Sequence, residues 1–409
     1  MPSSPAASSE DRVCDVLIAG AGLTGLVAAL AFSREGFDVV ACGADERLAA
    51  GRTVAMLDRT VAYLQGLGLW ETVEPKAAPM RGLRIIDDTG GLFPSVPVEF
   101  RSSEIGLDVF GWNVENDRMA DALAAAASDA NGVERIALPV TDYDFSGSRA
   151  GATLSDGRRI AAALIVGADG RESPSRKAAG LTVRRRAYPQ SAITALLVHR
   201  LPHNGVSTEF HTRAGPFTLV PLPPSDAAPN RSSLVWLMAP DDAQRRIALP
   251  DDAFADEIAA QAHALLGAMR LEGQRGMFPM VKHVVPRIAG ERLALVGDAA
   301  HAFPPIGAQG LNLGLRDVEA LVACAREARA EEDDIGSVKA LEAYQRARRA
   351  DIATRTAAVD SLNRSLLAGF APLDLARATG LAALGAVGPL RRFVMREGVS
   401  ARFHNSVKT

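Results

Sequence analysis

Three short turns in this 409-residue chain carry residue types suited to holding phosphates and sugar hydroxyls. The first reads Gly20-Ala21-Gly22-Leu23-Thr24-Gly25. It follows the apolar run Asp15 to Ala19 and precedes Leu26 to Arg34, a stretch of strong helix formers. Strand, glycine turn and helix in that order bring free N–H groups and the positive end of a helix dipole to one point. Gly20 permits the turn, Gly22 lets the backbone approach a pyrophosphate, and Gly25 lets helix and strand pack closely. The spacing predicts dinucleotide binding, without separating NAD from FAD. One residue breaks the pattern. The next strand ends "VVACGAD", with Gly43 where a carboxylate would accept the ribose hydroxyls. Asp45 or Glu46, the backbone or water would then have to serve.

The second turn, Gly167-Ala168-Asp169-Gly170, ends an apolar strand through Leu164 to Val166 and precedes a helical segment at Ser173 to Ala179. Upstream, "ATLSDGRRIAAALIV" reads as a hairpin turning at Asp156-Gly157. The third turn, Gly297-Asp298, also follows an apolar strand, Leu293 to Val296. It leads through Phe303-Pro304-Pro305-Ile306-Gly307-Ala308-Gln309-Gly310 into a helix from about Leu311 to Ala330. Asp298 suits a sugar-like hydroxyl. The loop Gly307 to Gly310 and the helix start suit negative charge on a ring.

Taken together, the three motifs resemble those of the FAD-dependent aromatic hydroxylases, the para-hydroxybenzoate-hydroxylase-like flavoprotein monooxygenases. The resemblance implies that Gly20, Gly22, Leu23, Thr24 and Gly25 bind the ADP half of FAD. It implies that Asp169 and Gly170 support FAD and a transient NAD(P)H, and that Gly297 and Asp298 hold the ribityl chain. Gln309, Gly310, Leu311 and Asn312 would reach the flavin. Arg52, in "GRTVAMLDRTVAYLQGLGLWETV", would lie near the pyrophosphate, since a fixed cation suits phosphate oxygens. "FGWNVENDRMADAL", "FHTRAGPFTLVPLP", "SLVWLMAP" and "HAFPPIGAQGLNLGLRDV" resemble the ubiquinone-biosynthesis hydroxylases, the UbiH/Coq-type branch. The similarity runs from Val13 to about Ala350 and departs at Gly43 and at "AFPPIGAQG".

The activity so implied is hydroxylation of a phenolic ring. NAD(P)H reduces FAD, O₂ adds to give a C4a-hydroperoxide, and an electron-rich phenol attacks its distal oxygen. The cofactor carries that chemistry while the protein positions and desolvates it. The expected substrate is a lipophilic aromatic, a polyprenyl phenol of ubiquinone biosynthesis. The alternatives are hydroxylation of a soluble phenol or polyketide, and a non-catalytic flavin-fold accessory protein. Pro304, Gly307 and Gly310 are expected at the reacting ring. His301 stands either at the mouth of the active site or buried and satisfied by backbone. Trp112, His211 and Phe217 are candidates for the edge of the substrate cavity, with core packing the other reading for the Trp and the Phe. Aliphatic strands such as "AITALLV" are expected to supply its apolar wall. The seven His residues form no His-Glu-x-x-His pattern, and no metal cluster is expected.

Positioning these turns calls for an α/β fold: a discontinuous Rossmann-like FAD-binding part at 13–75, 108–186 and 282–349, a mixed β-sheet substrate part at 76–107 and 187–281, and C-terminal helices at 350–409. Residues 1–12, "MPSSPAASSEDR", lack an apolar core and read as a disordered tail. Hydrophobic residues make up 48% and charged residues 23%, ordinary for a soluble domain, and the net charge of −3 gives no reason to expect nucleic acid. Three cysteines without metal-type spacing fit a reducing compartment, hence a cytoplasmic placement. The C-terminal "PLRRFVMREGVSARFHNSVKT" is basic and interleaved with apolar residues. It reads as a packed helix pair or, alternatively, as a surface for the inner membrane, a multienzyme complex or a second copy.

Overall fold

The computed structural model describes residues 11–44, 51–90, 96–226, 228–304, 309–367 and 388–399. Strand β1 (Arg12–Ala19) leads through the first glycine turn into helix α1 (Leu23–Arg34) and back to strand β2 (Val39–Cys42). β1 pairs in parallel with β2 on one side and with the strand Arg159–Gly167 on the other. Val133–Ile136 extends the sheet beyond β2, and Leu293–Leu295 extends it at the opposite side. The apolar runs are long because a parallel sheet is covered on both faces. All four residues of β2 are buried, as is α1 from Leu26 to Phe32. The sheet begins one residue earlier than expected. Arg12, assigned to the tail from sequence, opens β1 and pairs with Asp38 at 2.7 Å and Glu134 at 2.9 Å. The hairpin at Asp156-Gly157 forms as read, with Thr153 opposite Arg159.

A second, eight-stranded sheet is built on two 16-residue antiparallel strands, Arg184–His199 and Met269–Val284. Its two faces differ, because side chains alternate across a strand. Ile193, Ala195 and Leu197 join Phe210, Phe217, Leu234 and Trp236 in one core. Phe254 and Ile258, from the helix Asp251–Gln261, pack into that core, whereas Ala192 and Leu237 point to the opposite face and belong to the main core. Of the two readings for Phe217 the structure takes core packing: it is fully buried against Trp236, at 5.1 Å between ring centroids. One expectation is corrected here. The aliphatic side chains of "AITALLV" that alternate toward this core serve it, not a substrate wall. His211 is buried and pairs with Glu209 at 2.7 Å. Trp112 stays half-buried against Trp70, with ring centroids 5.4 Å apart.

A three-stranded sheet, formed by Thr53–Leu57, Gly111–Glu115 and Ala77–Met80, packs against the second sheet. Arg231 locks it to the second sheet. Its side chain is 2% exposed and reaches Glu272 at 2.6 Å, Glu115 at 3.0 Å and the carbonyl of Pro223 at 3.0 Å. Removing one member of a buried pair strands the others, at a cost of about 3–5 kcal/mol. Arg231→Met is therefore expected to lower unfolding free energy by about 3 kcal/mol, read from the urea midpoint of the purified protein.

Candidate functional site

The three turns touch one another through backbone. A Cβ on Gly20, whose φ is +120°, would lie 2.3 Å from the carbonyl oxygen of Ala168 and 2.8 Å from the amide nitrogen of Asp169. A Cβ on Gly25 would lie 1.9 Å from the carbonyl oxygen of Gly20. The third turn seats on the first. Gly297, at φ +58°, rests on Thr24, where a Cβ would meet Oγ1 at 2.9 Å. Gly314, in the helix Gln309–Ala330, stands over both, its Cβ position 3.1 Å from Gly297 Cα and 3.1 Å from Thr24 Oγ1. Hydrogen bonds follow the same line: Ala168 N–H to the Ala19 carbonyl at 2.8 Å and Val296 N–H to the Gly167 carbonyl at 3.0 Å. At Gly22, by contrast, nothing lies within 4 Å of a Cβ position. Gly22 caps α1 with no side-chain bond, and the first helical bond is Leu26 N–H to the Gly22 carbonyl. The N–H groups of Leu23, Thr24 and Gly25 precede that bond and so have no partner within the helix. The Leu23 side chain itself is core.

Polar groups surround this junction. Asp169 accepts the Ser175 N–H at 2.8 Å through Oδ2, while its buried Oδ1 has no partner among the described residues. Asp298 is half-exposed and accepts from Arg171 Nε at 3.2 Å. Arg52 stacks over Phe278 at 5.2 Å. Burial first and then Arg171 hold its pKa below the usual range, with Asp298 opposing, which places Arg52 beside the second and third turns. Gly170 has open space around it.

Sequence reasoning missed the brace behind these groups. Arg176 is 1% exposed and donates to the Ala299 carbonyl at 2.9 Å and the Arg171 carbonyl at 2.8 Å, tying the second turn to the third. Its signal was present, an Arg three residues after the helix-capping Ser173. A second support is the buried Asp317. It accepts from Gly297 N–H at 3.0 Å, His301 Nε2 at 2.6 Å and Arg348 Nε at 2.8 Å. His301 is therefore a buried partner of Asp317 and not a residue of an active-site mouth; its satisfying group is a carboxylate, not backbone. Asn312 also differs from expectation. It is 2% exposed, and its side chain accepts from Leu57 N–H at 2.9 Å and Thr60 Oγ1 at 2.6 Å and donates to the Ala55 carbonyl at 2.7 Å. It clamps the helix to the strand Thr53–Leu57, and its side chain does not open on the cleft. Pro304 is buried, Leu311 half-buried, Gly310 exposed at the helix start. Gln309 begins that helix, and Gly307 lies outside the described residues.

His283 sits beside Asp298 and Arg176 with Nε2 buried and unpartnered among the described residues. Burial, then Arg176, push its pKa down to about 4, against the partial opposition of Asp298. The unfolded chain takes up this proton near pH 6.5 and the native chain only near 4, so stability rises with pH across that window and is lost on acidification through it. The loss amounts to roughly 3 kcal/mol. His283→Leu is expected to flatten the fall in unfolding free energy between about pH 6.5 and about pH 4.5 relative to the native chain, measured by urea melts at each pH. Gly25→Ala, which drives a methyl into the Gly20 carbonyl, is expected to destabilise by at least about 2 kcal/mol in the same assay.

Comparison with known proteins agrees with this geometry. The profile of the FAD binding domain family matches residues 13–359. The chain is 34% identical over 404 residues to the ubiquinone hydroxylase UbiL of Rhodospirillum rubrum, covering 97% of this chain and 91% of that protein. It is 29% identical to the 3-demethoxyubiquinol 3-hydroxylase of Escherichia coli, covering 93% and 97%. Among solved structures, p-nitrophenol 4-monooxygenase PnpA of Pseudomonas putida shares the fold at a TM-score of 0.78 and 18% identity, covering 94% of this chain and 98% of that one. A Klebsiella pneumoniae HpxO variant complexed with FAD does so at 0.72, with 19% identity and the same coverage. The chain belongs to the FAD binding domain family, as an FAD-dependent monooxygenase of the para-hydroxybenzoate-hydroxylase-like fold.

Proposed function

We propose that this protein hydroxylates the ring of a polyprenyl phenol in ubiquinone biosynthesis, using FAD, NAD(P)H and O₂. The observation that carries the substrate class is the kinship with a ubiquinone hydroxylase along 97% of the chain. The cleft supports the cofactor. Gly22 leaves the space a pyrophosphate needs, and the first-turn N–H groups of α1 point their donors there. The unpartnered Asp169 Oδ1 and the half-exposed Asp298 carboxylate supply acceptors for hydroxyls along the ligand. Arg52 supplies positive charge between them. Bound FAD supplies the redox and oxygen chemistry. The chain's own part is to hold the ring system against the second sheet. Gly310 and Leu311, at the start of the helix Gln309–Ala330, offer backbone donors toward it.

The same reading divides the chain by sheet membership into a cofactor part and a substrate part. Peripheral attachment to the inner membrane would bring a lipophilic substrate within reach; no helix among the described residues is long and apolar enough to cross a membrane.

Complementation of strains each blocked at one ubiquinone hydroxylation step, with quinone intermediates read by mass spectrometry, tests the substrate class. Rescue of one step is expected, and rescue of none would favour a soluble phenol. The purified protein is expected to be yellow and to oxidise NAD(P)H faster with substrate. Asp298→Ala is expected to weaken FAD at least about tenfold, measured by fluorescence titration of the apoprotein, because a hydrogen bond to a charged group is lost.

A further inference from the structure

The second sheet carries a cavity on the face that holds the core of Phe210 and Trp236, opposite to the face turned to the cofactor part. Strand register builds its floor. Arg84, Thr208 and Leu219 stand in one cross-strand row, since Thr208 lies opposite Arg84 on one neighbour and Leu219 on the other. Phe210, two residues on from Thr208, points into that core, so alternation along the strand puts the row on the same face. The cavity holds about 180 Å³, and Leu265 and Leu266, from the turn after the helix Asp251–Gln261, wall it.

Some of its polar groups are already engaged. Burial holds His199 below its ordinary pKa, so the ring is neutral. It donates from Nδ1 to the Leu201 carbonyl at 2.8 Å, which leaves Nε2 to accept the Ser232 hydroxyl at 2.9 Å. His203 Nδ1 accepts the Gly205 N–H at 3.0 Å. Other groups are not engaged. Thr208 is 4% exposed, yet its hydroxyl has no hydrogen-bond partner among the described residues. Two guanidiniums share one carboxylate: Arg84 donates to Glu99 Oε2 from Nε at 2.9 Å and from Nη2 at 2.6 Å, and Arg101 pairs with Glu99 Oε1. Arg84 Nη1 makes no hydrogen bond among the described residues. Both arginines line the cavity, and no carboxylate among the described residues does. The lining thus combines an excess of positive charge, an orphan buried hydroxyl and an aliphatic wall.

We propose that this cavity binds a small organic acid, with its carboxylate held by Arg84, Arg101 and Thr208 and its short apolar body laid against Val206, Leu219, Leu265 and Leu266. A carboxylate takes charge-assisted hydrogen bonds from guanidinium N–H groups and from an O–H, and two arginines on one glutamate leave donors for it. The Thr208 hydroxyl gains the acceptor that the folded chain does not give it. The aliphatic side chains favour an organic body over a bare inorganic anion, which would leave them wet. At about 30 Å³ for each water-sized group, the room suits about six non-hydrogen atoms, the size of butyrate. The site stands apart from the cleft of the three turns, so it does not depend on what fills that cleft.

The test uses the full-length protein, with and without saturating FAD, and three probes: butyrate, butyramide and inorganic phosphate, each followed by ligand-observed NMR titration. Butyrate is expected to bind one to one, at least about tenfold more tightly than butyramide or phosphate, and equally with FAD present or absent. Arg84→Gln and Thr208→Val are each expected to weaken butyrate about tenfold. Thr208→Val keeps the side-chain shape and removes an unsatisfied hydroxyl, so its thermal midpoint is expected to hold or rise. Leu265→Trp, at a half-buried place in the wall, is expected to fill the cavity and abolish binding. Circular dichroism and thermal midpoints of each variant separate lost contact from lost fold. The proposal is overturned if butyrate does not bind, if butyramide binds as well, or if phosphate binds more tightly. It is overturned equally if Arg84→Gln or a folded Leu265→Trp binds butyrate as the native chain does, because the acid then sits elsewhere. Failure of the FAD reading gives a different result, in which the native chain takes up no FAD at all.

Discussion

The site depends on the close approach of three stretches of backbone. Gly20, Gly25, Gly297 and Gly314 sit where a Cβ would fall within about 3 Å of another chain segment. The missing side chains are what let the first turn lie against Ala168 and the third turn lie on Thr24. Because protein interiors are close-packed, such contacts are rigid and do not deform continuously. The donors and carboxylates that flank them are thus set before any ligand arrives, and a preorganised site loses little on binding.

Behind the backbone junction lie buried charges that stabilise loops more than they stabilise the fold. Arg176 is surrounded by carbonyls from both Asp-containing turns, and Asp317 holds Gly297, His301 and Arg348 at once. Tyr344 adds a bond to the Leu295 carbonyl at 2.7 Å, just before the third turn. Burying such groups costs desolvation that their contacts largely offset, so their net contribution to stability is small. Their effect is on position. Each satisfies loop polar groups that would otherwise be orphaned away from water, and each allows one loop arrangement only.

Division of labour between the faces of the second sheet follows the same logic. One face is given over to an apolar core under the helices Pro240–Ile247 and Asp251–Gln261, and the other, with Ala192 and Leu237 and with Phe278 at its margin, is turned to the cofactor part. Arg231 and its two Glu partners fix the angle between that face and the small sheet carrying Trp112 and the strand after Arg52. A flavin ring held by the three turns would then meet a wall whose distance is set by an ion pair, while the chemistry of the reaction stays with the cofactor.

Much of this was legible in the chain itself. Strand, glycine turn and helix are local: φ preferences, helix propensity and apolar periodicity act within a dozen residues, so the three turns and the hairpin at Asp156-Gly157 could be read directly. Residue order also limited what the turns could hold, since glycine spacing and lone aspartates suit phosphates and hydroxyls. What sequence could not decide was which side chain faces which neighbour across hundreds of residues. Asn312 looked like a residue of the cleft, and His301 stood open between the cleft mouth and a buried place, yet folding gave them the strand Thr53–Leu57 and Asp317 as partners. For Phe217 sequence left a cavity edge and core packing both open, and strand parity decided for the core under the helices. Gly43 looked like a lost acid, whereas in the folded chain Ala21 fills the space any side chain would need. Local rules fix conformation, but burial, pairing and steric exclusion are properties of contacts between distant segments, and those exist only once the sheets have assembled.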